Sequence, residues 1–274
     1  MPLPGGLWHR GELLHRYAFR PLTGAVELAI AEAASGSRFL PGAVTLALAA
    51  SLESLGDLLP EPELVDDLCV GDRQFLMQQL AILLGLDEVW MTAVCPQCGA
   101  QFDFLIRFSE LPVKGAGATY PFARVNTSLG PGCWRVPCGA DQKHLAMLPA
   151  GEDGGRPLAR LCLVECPASQ QERDPDLWVA SLTATDLAQI ETALGSVAPE
   201  VTLAVQAACP DCGQTHKLGI DPYFCLYHQH GDILAQVHNL ATVYHWSEAE
   251  ILSLPQRRRQ RYLHLIDRSR GLVG

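Results

Sequence analysis

Two five-residue turns, Cys95-Pro96-Gln97-Cys98-Gly99 and Cys209-Pro210-Asp211-Cys212-Gly213, lie about 110 residues apart, and a fold must either bring them together or strand two half-built metal sites. A Cys-x-x-Cys turn puts two thiolates on one side of a tight loop, and the glycine after it lets the backbone turn so that amides point at sulfur. The flanking segments alternate apolar and polar residues: Glu88 to Val94 and Ala100 to Arg107 around the first turn, Glu200 to Ala208 and Gln214 to Ile220 around the second. That is the pattern of paired strands. Each motif is therefore a hairpin tip supplying half of a tetrahedral site, with Cys95, Cys98, Cys209 and Cys212 as the four ligands of one shared structural zinc. Closing the long loop costs about 4 kcal/mol. A structural zinc contributes on the order of 10 to 16 kcal/mol in small peptides, so the metal wins.

Other uses of the thiols are weaker. Thioredoxin-like redox chemistry needs its Cys-x-x-Cys at a strand-to-helix junction, and both motifs here lie between strands. A local site from Cys209, Cys212, Cys225 and His228 would orphan the first turn, and Cys225 sits among Tyr223, Phe224 and Leu226 as a small buried hydrophobe would. Cys133, Cys138, Cys162 and Cys166 offer a second metal set, but their spacings lack the glycine pattern except at Cys138-Gly139. The chain has ten cysteines in 274 residues, too dilute for a disulfide scaffold.

Around the hairpins the sequence reads as an α+β protein: two zinc-knuckle β-hairpins joined in a zinc-ribbon-like core, flanked by N- and C-terminal helices. Residues 1–23, with Pro2, Pro4, Gly5, Gly6 and Arg20-Pro21, suit an irregular arm. Residues 24–86 are helical: Gly24 to Ser35 and Ala43 to Leu55 carry apolar residues at helical spacing, Glu63 to Leu68 is a short helix, and Asp72 caps a helix running from Arg73 to Leu84. Residues 87–221 hold both hairpins, an irregular Gly- and Pro-rich middle from 112 to about 176, and one helix from Thr185 to Leu194. Residues 222–274 are helical again, with Ser247 and Glu250 forming a capping box.

Hydrophobic residues at 48% and charged residues at 18% exclude a disordered or fibrous chain. No window reaches 18 uninterrupted apolar residues, so membrane insertion is not expected. The opening residues, with Trp8, His9, Arg10 and Glu12 in quick succession, offer no signal-peptide core, and a cytoplasmic protein is expected. A formal charge of −10 leaves only local room for nucleic-acid contacts. The candidate basic patch is Arg257, Arg258, Arg259 and Arg261, on a helix whose apolar face would be Tyr262, Leu263, Leu265 and Ile266. No aromatic-interleaved basic groove accompanies it, so nucleic acid is the lesser expectation. The C-terminal histidines His228, His230, His238, His245 and His264 lack ligand spacing. No nucleophile elbow, P-loop or dinucleotide fingerprint is present, and no small-molecule substrate or enzymatic activity is expected.

The order GDRQFLMQQLAILLG, CPQCG, RVPCGAD, CPDCG, IDPYFCLY and YHWSEAEILSLPQRRRQRYLHLI, from about Arg20 to Leu265, resembles the phage baseplate assembly proteins related to the T-even baseplate hub assembly chaperone. Such proteins also occur in gene clusters for extracellular contractile injection systems. The most specific pieces are Gly71-Asp72-Arg73, the two Cys-x-x-Cys turns and Trp246 to Leu252. In that family the stretch matching Arg135 to Asp141 reads Arg, apolar, Pro, variable, Gly, variable, Asp, with Cys138 at the first variable place. The resemblance implies a non-enzymatic role in building the baseplate of a contractile tail. The partners it implies are other baseplate or tail-hub proteins, met in the cytoplasm or within a tail-like particle.

Overall fold

The computed structural model describes residues 2–149, 154–167, 174–227 and 232–271. In chain order the elements are β1 (Leu7–His9), β2 (Glu12–Leu14), β3 (Tyr17–Phe19), α1 (Gly24–Gly36), α2 (Leu40–Ser51), β4 (Leu52–Leu55), α3 (Pro62–Asp66) and α4 (Val70–Leu83). There follow β5 (Glu88–Val94), β6 (Gln101–Arg107), β7 (Val113–Lys114), β8 (Phe122–Thr127), β9 (Gly130–Arg135), α5 (Gly139–Ala146), α6 (Gly155–Cys162) and β10 (Leu163–Glu165). The remainder is α7 (Pro175–Ala180), α8 (Ala184–Val197), β11 (Glu200–Val201), β12 (Ala204–Ala208), β13 (Thr215–Gly219), α9 (Ile233–Tyr244), α10 (Glu248–Leu252) and α11 (Gln256–Ser269). This is a mixed α+β protein whose sheets are small and antiparallel. Among the described residues no helix is long and apolar enough to cross a membrane.

The chain divides into two compact units, each built from separated stretches: residues 1–17, 55–76 and 111–203 in the first, 18–54, 77–110 and 204–274 in the second. This differs from the expected succession of regions. The middle from 111 to 203 belongs with the first residues of the chain, and only the hairpins of the expected 87–221 region fall in the second unit.

In the first unit the expected irregular arm is instead ordered. Residues 7–14 form a hairpin pairing Leu7 with Leu14 and His9 with Glu12. Its turn places Arg10 and Gly11 at φ 50° and 87°, the left-handed geometry that matches strand twist in two-residue hairpins. Among the described residues of the middle, the expected irregularity gives way to a three-stranded sheet in the order β10, β9, β8. Trp134 of β9 is fully buried, stacks on Trp178 of α7 with ring centroids 5.6 Å apart, and donates its indole N–H to the Ala159 carbonyl at 3.0 Å. Gly132 makes room for both rings, since a Cβ there would lie 2.5 Å from Trp134 and 2.8 Å from Trp178. Val136, Cys162, Val179, Leu182, Ile190 and Leu194 complete the core.

The motif residues of this unit are structural anchors. Asp72 is not a cap. It lies inside the first turn of α4, fully buried, and its carboxylate accepts from the Gly5 and Gly6 amides at 2.8 and 2.9 Å. Arg73, also fully buried, donates to the Val65 carbonyl at 3.1 Å. A Cβ on Gly139 would meet the Arg73 guanidinium at 2.4 Å, so glycine is required there. Arg135 grips both carboxylate oxygens of Asp141 and donates to the Leu161 carbonyl. Burial alone would raise the Asp141 pKa, but the Arg135 hydrogen bonds and the Cys138 amide outweigh it and hold the carboxyl below its ordinary value.

In the second unit α1 packs on α2, and β3 pairs with β4. The C-terminal core is Val237, Leu240, Ile251 and Ile266, closed by Tyr244, Trp246 and Tyr262 with ring centroids 4.9 to 5.4 Å apart. The Ser247 and Glu250 capping box forms as expected. Leu265, expected on the apolar face of the last helix, is exposed. Arg259 departs furthest from expectation. It is fully buried, donating to Glu27 Oε1 at 2.7 Å and to the Leu254 carbonyl at 2.7 Å, and so ties α11 to α1. Removing one partner of a buried ion pair strands the other charge. Arg259→Met is expected to cost about 3–5 kcal/mol, read as a lower urea midpoint by tryptophan fluorescence, and adding Glu27→Leu should recover part of the loss.

Candidate metal centre

The two Cys-x-x-Cys turns close two hairpins, β5–β6 with seven-residue strands and β12–β13 with five-residue strands, both in the second unit. The β5–β6 register pairs Glu88 with Arg107 and Val94 with Gln101; that of β12–β13 pairs Ala204 with Gly219 and Ala208 with Thr215. Each turn is built alike. The Cys95 amide donates to the Ala100 carbonyl and the Gly99 amide to the Cys95 carbonyl, at 2.8 and 2.9 Å. The Cys209 amide donates to the Gln214 carbonyl and the Gly213 amide to the Cys209 carbonyl at the same distances. Gly99 and Gly213 sit at φ 75° and 72°, which a side chain would strain.

The four sulfurs converge. Cys95 and Cys212 are 3.6 Å apart, Cys98 and Cys209 are 3.8 Å apart, and all four ligand atoms lie within 4.8 Å of one another. A tetrahedron of sulfurs about 2.3 Å from a central ion has edges of about 3.8 Å, which the Cys95–Cys212 and Cys98–Cys209 separations already match. Cys95 and Cys209 are buried against Phe102, with Phe104, Ala93, Ala207 and Leu218 alongside, while Cys98 and Cys212 face solvent. Burial pushes the Cys95 thiol up, but the Cys98 and Gln97 amides and the neighbouring thiols outweigh it and bring it down to about 6. The Ala100 amide pulls Cys98 down, yet its sulfur neighbours push it up to about 12. Four thiols this close cannot all ionise unaided, and a cation removes the conflict.

Sequence reasoning missed His216, whose Nε2 lies 3.1 Å from Cys95 Sγ. Its signal was the alternation along β13, where His216 and Leu218 turn inward while Thr215 and Lys217 face out. A ring N–H aimed at a ligand sulfur fixes that ligand's orientation from outside the first coordination sphere.

The remaining candidates do not join this cluster. Among the described residues no other group of three or more ligand side chains comes together, so Cys133, Cys138, Cys162 and Cys166 make no second site. Cys225 is fully buried with its thiol toward the Met77 carbonyl, and burial pushes it up to about 12; His228 and His230 lie outside the described residues. His238, His245 and His264 are exposed. Arg257, Arg258 and Arg261 are exposed, whereas Arg259 is withdrawn into its ion pair and is no part of a basic patch. No protein-family model matches the chain, and neither a curated protein nor a solved structure matches it.

Because each hairpin would contribute two thiols to a shared ion, Cys95→Ser and Cys209→Ser should each abolish binding, and elemental analysis of the parent protein should return one ion per chain. His216→Phe should keep the ion but lower its affinity by about 10- to 100-fold, measured by competition with a chromogenic chelator.

Proposed function

We propose that the chain is a non-enzymatic structural or assembly protein of the baseplate of a phage-like contractile tail or injection machine, pinned by one structural zinc in a zinc-ribbon-like core. The observation that carries the reading is the closed set of four thiolates, Cys95, Cys98, Cys209 and Cys212, taken two from each hairpin. Soft thiolates in a tetrahedron favour zinc over the hard divalent cations, and four protein ligands leave no position for a reacting water. Such an ion serves folding and not turnover.

The motifs behind the resemblance support the same class of role. Asp72 and Arg73 are spent on backbone and buried contacts, and Arg135 and Asp141 on each other. Side chains used in this way hold a shape. The partners would be other baseplate or tail-hub proteins in the cytoplasm, with the chain either leaving after assembly or staying in the particle. The second reading, nucleic-acid binding through α11, rests on exposed Arg257, Arg258 and Arg261, and the burial of Arg259 weakens it.

The test is to tag the protein in its native host, separate the lysate on a density gradient, and follow it by immunoblot. Co-migration with megadalton tail-like particles, or a light complex with tail proteins, is the expected result; a light peak bound to no tail component overturns the proposal. The nucleic-acid reading would instead require binding that falls steeply between low and moderate salt.

A further inference from the structure

Cys69 and Cys138, both in the first unit, face each other across an isolated antiparallel bridge. The Val70 amide donates to the Pro137 carbonyl at 3.0 Å and the Gly139 amide to the Leu68 carbonyl at 3.1 Å. That pattern makes the two cysteines the non-hydrogen-bonded pair of the bridge. In such a pair the Cα atoms approach to about 4.5 Å and the side chains leave on one side. A disulfide spans Cα separations of about 4.4–6.8 Å.

The local sequence builds the two positions alike. Cys69-Val70-Gly71-Asp72 opens α4 and Cys138-Gly139-Ala140-Asp141 opens α5, each with cysteine just before the helix and aspartate in its first turn. The Asp72 amide donates to Cys69 Sγ at 3.4 Å, and the Asp141 amide reaches the Cys138 sulfur in a capping box. Two helix starts, each capped by its own thiol, are thus held side by side by the backbone bridge. Neither thiol has a metal-ligating partner set among the described residues.

Access differs between them. Both are nearly buried, Cys69 at 4% and Cys138 at 8% exposure. Cys69, however, lines a cavity of about 840 Å³ walled by Val136, Pro137, Leu158, Leu187 and Leu194. A small neutral oxidant can reach it there.

We propose that Cys69 and Cys138 are a redox pair that closes to a disulfide under a hydroperoxide such as hydrogen peroxide. The Cys69 sulfur attacks the peroxide, forming a sulfur–oxygen bond as the oxygen–oxygen bond breaks, and water leaves with the thiol proton. The Asp72 carboxylate, 3.4 Å from Cys69 Sγ, is placed to take that proton in passing. The Cys138 sulfur then attacks the sulfenic sulfur, the sulfur–sulfur bond forms, and the oxygen departs as a second water carrying the Cys138 proton. Two thiols are oxidised by two electrons and one peroxide is reduced to two waters. The product locks the starts of α4 and α5 together. Burial raises both thiols above their ordinary values, which keeps them protonated and makes the closure slow.

The full-length protein would be treated with hydrogen peroxide, alkylated with N-ethylmaleimide in denaturant, digested and mapped by mass spectrometry. The expected product is a peptide pair joined through Cys69 and Cys138, lighter by two hydrogens and separated by dithiothreitol. The oxidised protein should melt several degrees higher, a gain that Cys138→Ser removes. Mapping on the unsubstituted protein needs no variant to fold. A bridge from Cys138 to Cys162, or Cys69 recovered as alkylated thiol or sulfinic acid with Cys138 still free, overturns the proposal.

Discussion

Four sulfurs can share one ion only if the two pairs, about 110 residues apart in sequence, are brought together, and a core of its own for the intervening chain lessens a loop-closure cost of about 4 kcal/mol. The chain meets this condition by giving residues 111–203 to the first unit, where they pack around Trp134 and Trp178. The second unit is then assembled from three stretches that meet at the thiolates and at the Arg259–Glu27 pair. Neither unit is contiguous, so each depends on anchors between residues far apart in sequence.

Those anchors are polar and buried. Asp72 reaches back to Gly5 and Gly6, and Arg259 to Glu27. A buried charge without a partner is costly, whereas one held by several directed bonds admits a single arrangement of the segments it joins. Apolar packing alone would tolerate a slip of one helix against another; a guanidinium that must find a carboxylate and a carbonyl together does not.

The four-cysteine cluster was legible because cysteine spacing is a direct statement of ligand geometry, and the alternation of the flanking residues announced the paired strands that carry the turns. The helices over Gly24–Gly36 and Glu248–Leu252 were legible from periodicity and capping. Three things were not. The hairpin at residues 7–14 has three-residue strands, too short for alternation to register, and its turn begins with Arg10, a residue that gives no left-handed signal. The sheet around β9 hides behind Gly130, Pro131 and Gly132, which read as a loop, although Gly132 clears space for two indole rings. Arg259 sits within a run of arginines that reads as a solvated face, and only its position on the helix, opposite Arg257 and Arg261, turns it inward.

The separation of the two Cys-x-x-Cys turns also has a meaning in time. At ribosomal rates of about 5–20 residues per second, Cys95 and Cys98 wait roughly 5–20 s before Cys209 and Cys212 are synthesised. During that interval the first hairpin is a lone dithiol, able to hold an ion only through two sulfurs and borrowed solvent. The growing chain is therefore most exposed to metal scavenging and thiol damage midway through its own translation, a window that a shorter spacing between the turns would close.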